Sequence, residues 1–82
     1  MKYRPKGICA DQIDFDIEDN KVKNLVYHGG CPGNHLGLAV LVEGMDVDEV
    51  IEKLSGVTCG PRPTSCPDQL ARALKEYKGG NL

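Results

Sequence analysis

The chain has 82 residues, ten Lys and Arg against twelve Asp and Glu, a net charge of −2 and 40% hydrophobic residues. At this length only about 60–65% of the unfolded surface is expected to be buried, so the core is thin and the four cysteines are candidates for a staple. One Phe, three Tyr, no Trp and no basic cluster argue against nucleic acid as a partner, and no stretch approaches the roughly 20 apolar residues of a membrane span.

The first twelve residues, MKYRPKGICADQ, lack the apolar run of a secretory leader. A cytoplasmic setting is therefore expected, where thiols stay reduced and a metal site or redox-active thiols are favoured over structural disulfides. The segment CADQIDFDIED then alternates, with Cys9, Asp11, Ile13, Phe15 and Ile17 on one side and Ala10, Gln12, Asp14, Asp16 and Glu18 on the other. A period of two with β-branched and aromatic residues predicts a strand whose second face, carrying Asp14, Asp16 and Glu18, is wet. Residues 18–21, EDNK, have turn chemistry, and 22–28, VKNLVYH, read as the return strand of an antiparallel hairpin. The alternation slips between Val22 and Leu25, which predicts a bulge.

GGCPGNH (29–35) breaks the strand, and Asn34 is the expected N-cap of a helix over 35–43. That helix, HLGLAVLVE, is apolar nearly all round and is expected to be buried, with Gly44 ending it in the left-handed conformation. Asp46 with Glu49 forms a capping-box pattern for a second helix, Met45 and Val50 are placed as its hydrophobic staple, and Val47, Val50, Ile51 and Leu54 make its stripe. A third helix is expected from Pro67, with Leu70, Leu74 and Tyr77 as its stripe and Gly79–Gly80 as its stop. Together these elements predict one α+β domain over 1–82: a small antiparallel sheet, a hairpin with room for a third short strand, followed by three helices on one face.

All four cysteines fall at element ends rather than in apolar stripes. Cys31 and Cys66 precede helix N-termini, where unpaired N–H groups and the macrodipole favour thiolate, the form that binds metal and attacks disulfides. Pro61 and Pro63 stiffen the loop holding Cys59 against Cys66. The spacing C-x21-C-x27-C-x6-C contains no C-x-x-C pair and matches no ordinary zinc ribbon. Position and compartment place a four-thiolate metal site first, then redox-active thiols, inert buried cysteines and a disulfide framework. His28 and His35 flank the Cys31 loop as candidate ligands, though exposed polar residues at a strand end and a helix start are the expectation. Asp11 and Arg62 are candidates to tune the site, against the plainer reading of a strand-edge acid and a solvated loop arginine. There are no paired carboxylates poised for acid–base work, no nucleophile triad and no phosphate loop.

TSCPDQLARAL (64–74) contains the five-residue motif that names the TSCPD domain family. With YHGGCPGN (27–34) and the four cysteines, the chain resembles the small four-cysteine members of that family from about Tyr3 to Lys78. The same domain occurs near the C-terminus of adenosylcobalamin-dependent ribonucleotide reductases. The resemblance therefore implies an accessory module that acts with a reductase in deoxynucleotide supply for DNA synthesis. It does not imply the reductase activity, whose barrel, radical-site cysteines, nucleotide site and cobalamin site have no counterpart in these 82 residues.

The order of elements is also similar to iron–sulfur scaffold proteins of the NifU N-terminal type. That resemblance implies Cys9, Cys31 and Cys66 as ligands and Asp11 as the neighbouring aspartate. The chain departs from the scaffold at Ser65, where the scaffold has histidine, and at Cys59, which has no counterpart there. With Cys59 as fourth ligand, the expected centre is a closed zinc site on Cys9, Cys31, Cys59 and Cys66, with an iron–sulfur centre as the alternative and Asp11, Arg62 and His35 around it. The rival reading is a thiol–disulfide shuttle through Cys59 and Cys66 that re-reduces a reductase. The sequence indicates no oligomeric state.

Overall fold

The structure is a computed structural model. It describes residues 2–5, 8, 10–29, 32–58, 61 and 64–80, and of residues 32–34 the backbone alone. Three strands, β1 (Lys2–Tyr3), β2 (Gln12–Glu18) and β3 (Lys21–His28), precede three helices, α1 (Pro32–Val42), α2 (Val47–Leu54) and α3 (Cys66–Lys78). The sheet is antiparallel in the order β1-β2-β3, so the α+β expectation holds and β1 is the third short strand.

The hairpin forms because its turn tolerates left-handed backbone. Asp19 and Asn20 have φ of 52° and 62°, the pair of positive values that a two-residue hairpin connection needs to match strand twist. Asn20 also ties the turn to the helices. Its carbonyl accepts from Val47 N at 2.8 Å, its Nδ2 donates to Asp46 Oδ2 at 3.0 Å, and Lys78 Nζ donates to its Oδ1 at 3.0 Å. The expected bulge lies in β3. Asp14 pairs with Val26 but Asp16 pairs with Lys23, so two steps on β2 face three on β3. Asn24 absorbs the extra residue at φ 54°, with its N–H on Glu43 Oε1 at 2.9 Å and its amide on Asp16 Oδ2 at 3.1 Å.

The bulge shifts the parity of β3, so Val22, Leu25 and Tyr27 all face inward beside Ile13 and Phe15 of β2. Val47 and Val50 of α2 and Leu70, Ala73 and Leu74 of α3 complete the core on that face. Ala10 is buried although its parity assigns it to the wet side, because β2 begins only at Gln12. The Asp46 cap is as expected, its side chain accepting from Asp48 N at 2.9 Å, and α3 starts one residue before Pro67.

Two expectations for α1 fail. The helix starts at Pro32 rather than after Asn34, since proline at the first helical position needs no N–H partner. It is also not buried all round. His35, Leu38, Ala39 and Val42, at i, i+3, i+4 and i+7, face the body, while Leu36, Val40 and Leu41 are 66, 70 and 69% exposed. Packed mainly on β3, with His35 reaching the start of α3, α1 has one face to bury and presents its remaining apolar residues outward. Gly44 ends the turn after α1 at φ 77°, as expected, and its N–H donates to Val22 O at 2.8 Å.

Candidate functional site

The motif at residues 64–68 is a buried polar corner where α2 ends and α3 begins. Ser65 is the N-cap of α3, with extended backbone (φ −152°, ψ 172°) and Oγ accepting from Asp68 N at 3.2 Å. The same hydroxyl donates to Val57 O at 2.5 Å. Asp68 faces back across the corner and accepts from Gly56 N at 2.7 Å, Thr64 Oγ1 at 2.5 Å and Arg72 Nε at 3.0 Å. Gln69 Nε2 closes the ring by donating to Thr64 Oγ1 at 2.9 Å. Burial by itself raises the Asp68 pKa, but the bonds from Thr64 and Gly56 and the Arg72 guanidinium outweigh it and hold the carboxyl below its ordinary range. Thr64, Ser65 and Asp68 thus serve the corner, and Pro67 lies in the first turn of the helix.

Cys66, the remaining letter, turns its sulfur elsewhere. Its Sγ lies 3.1 Å from Nε2 of His35, and as the first residue of α3 it sits where the helix dipole favours negative charge. His35 is only 6% exposed, so the expectation of an exposed histidine at a helix start is overturned. It occupies a position in the inner stripe of α1 and is carried into the body by that helix. Its ring stacks on Tyr27 with centroids 4.3 Å apart and planes 17° from parallel. Tyr27 completes the arrangement by donating its hydroxyl to Cys66 O at 2.8 Å. Burial above all, with a smaller electrostatic contribution from the neighbouring Cys66, pushes the Tyr27 phenol well above its ordinary pKa of 10, so it remains a donor. Among the described residues His35 Nδ1 is buried without a hydrogen-bond partner.

Tyr27 is the residue the sequence reading missed. Its signal was a polar-tipped aromatic at an inward register of β3, a place where the hydroxyl needs an acceptor.

Cys9, Cys31, Cys59 and Arg62 lie outside the described residues. Asp11 is exposed and not part of β2, its N–H bonded to His28 O at 2.7 Å. Its carboxylate fills the space beside Gly29, where a Cβ would approach Oδ2 to 3.0 Å at φ 84°. His28 is exposed as expected and pairs through Nε2 with Asp14 Oδ2 at 2.7 Å, while Gln12 Nε2 donates to Asp14 Oδ1 at 2.8 Å. The structure therefore brings His35 and Cys66 together and leaves His28 in the hairpin's surface network. Next to the stacked pair, Leu25, Val26, Tyr27, His35, Leu36 and Ala39 line an open groove of about 310 Å³ between β3 and α1.

The profile of the TSCPD domain family matches residues 1–78. The chain belongs to this family. No curated protein and no solved structure matches it. In this TSCPD domain no group of three or more His, Cys, Asp and Glu side chains assembles among the described residues. The Cys66–His35 contact joins a sulfur and an imidazole nitrogen, the two donor types zinc takes most often. No helix among the described residues of the domain is long and apolar enough to cross a membrane.

Proposed function

We propose that this TSCPD domain is a metal-holding accessory module of a reducing, cytoplasmic setting. In this reading Cys9, Cys31, Cys59 and Cys66 hold one divalent ion, zinc, in a closed four-thiolate centre, and the domain works with a ribonucleotide reductase as its partner. The observation that carries the reading is the division of labour within the motif. Thr64, Ser65 and Asp68 are engaged in capping and bracing α3, whereas the Cys66 sulfur is presented at the helix start beside a buried imidazole. Four thiolates around a divalent ion leave net −2 and no open position, the arrangement of structural rather than catalytic zinc. Bound metal would contribute several kcal/mol to folding. Cys66→Ser is then expected to lose metal and most of the stability together, read by elemental analysis and thermal melting on the same sample.

The deciding experiment is native mass spectrometry of the full chain purified anaerobically without a tag, with elemental analysis alongside. One zinc per chain with four reduced thiols supports the reading, and iron with sulfide moves it to an iron–sulfur centre. A metal-free chain lighter by two hydrogens, with a Cys59–Cys66 disulfide, overturns it in favour of a redox shuttle for a reductase. Calorimetric titration of the zinc-loaded domain into an adenosylcobalamin-dependent reductase tests the partner, and no heat of binding removes that part.

A further inference from the structure

We infer that His35 is itself a ligand of this centre, through Nε2 and paired with Cys66 Sγ. The inference rests on the metal reading above and alters its donor set. His35 occupies the first position of the α1 inner stripe that Leu38, Ala39 and Val42 continue, where an aliphatic side chain would bury at no polar cost. The buried imidazole instead has Cys66 as the partner of Nε2, and Nδ1 has none among the described residues. Placing the ring proton on either nitrogen leaves Nδ1 unmatched there, so the thiol contact alone returns less than the ring's desolvation costs.

A metal bond at Nε2 leaves the ring proton on Nδ1, still unmatched among the described residues. It replaces a weak thiol contact with a far stronger interaction, and the geometry is nearly in place. Zinc bonds of about 2.3 Å to sulfur and 2.0–2.1 Å to nitrogen, at a tetrahedral angle, put the two donors about 3.5 Å apart. Nε2 and Sγ are 3.1 Å apart, so a separation of a few tenths of an ångström turns the contacting pair into two ligands. The Tyr27 stack fixes the plane of the ring, and the Tyr27 hydroxyl fixes the backbone that carries the sulfur, so both donors are oriented by one residue.

Four donors fill a tetrahedral shell. With His35 bound, one of the four cysteines is not a ligand, and the centre carries net −1 instead of −2.

The test is X-ray absorption and cobalt(II) titration of the full chain. The absorption spectrum of the zinc-loaded protein is expected to need three sulfurs at about 2.3 Å and one nitrogen at 2.0–2.1 Å. His35→Ala is expected to weaken cobalt(II) binding by more than about 100-fold, beyond the range typical of outer-shell losses. His35→Gln, which keeps an N–H to donate to sulfur but supplies no zinc ligand, is expected to weaken it as much. A sulfur-only shell, or wild-type affinity in His35→Gln, overturns the ligand assignment and leaves the four-thiolate reading standing. A wild-type chain that takes up neither zinc nor cobalt overturns both.

Discussion

The α2–α3 corner and the α1–β3 corner both bury polar side chains, on different terms. In the first, Thr64, Ser65, Asp68 and Gln69 satisfy one another and the backbone of the preceding loop. Ser55 Oγ, beside them at the end of α2, is the one buried atom left unmatched there among the described residues. In the second, His35 is held by a stack and a sulfur with one ring nitrogen unmatched among the described residues. A polar cluster that closes on itself is accounted for by folding alone. One that does not close calls for something further, and the difference separates the structural letters of the motif from Cys66.

Asp68→Ala is the sharpest way to break the first corner. It strands the Gly56 N–H and the Thr64 hydroxyl and removes the Arg72 pair, so a loss of about 3 kcal/mol is expected in urea unfolding. The folded-state pKa of Asp68 lies below its unfolded value. Its contribution is therefore complete above the unfolded pKa and is lost as pH falls through the folded one. Asp68→Ala should accordingly flatten the acid limb of the stability profile, and an unchanged limb would show that the corner is not held by the charge.

Ser65→Ala removes the cap and the donor to Val57 O, with about 1–2 kcal/mol expected by the same measurement. Tyr27→Phe keeps the stack and deletes only the bond to Cys66 O, for about 1 kcal/mol. Its more telling readout is the rate at which Cys66 reacts with a thiol reagent, which should change in Tyr27→Phe and not in Ser65→Ala. Val40→Lys, on the open face of α1, should fall within about 0.5 kcal/mol of wild type. A large loss there would mean that the outer face of α1 is covered in solution.

Most of the fold was legible because it is written locally. Asp19–Asn20 for the turn, the slip before Leu25 for the bulge, Asp46 for one cap and the stop after Leu54 are signals confined to a few residues. One failure is local, the start of α1 at Pro32, and the others are tertiary. HLGLAVLVE reads as buried all round, but how many neighbours α1 has depends on where the sheet ends, and β3 is its last strand. His35 reads as polar and hence exposed. The spacing of Leu38, Ala39 and Val42 would have put it on the inner stripe, had periodicity been weighed above residue type. That Tyr27 would meet both His35 and Cys66 follows from packing three elements at once, which no window of sequence contains. For the candidate site, Cys66 at the start of α3 was legible from Pro67, and its neighbour was not.

The segment that follows α1 does more than connect two helices. Residues 44 and 45 take both the carbonyl and the N–H of Val22, Lys21 bridges to Asp46, and the Glu43 carboxylate occupies the N–H of Asn24. The turn-proximal half of the outermost strand therefore has no row of open backbone groups to offer a stray chain, and the kink at Asn24 spoils the flatness that strand addition requires. That half of β3 is thereby closed to edge-to-edge pairing chiefly by backbone bonds from the segment after α1.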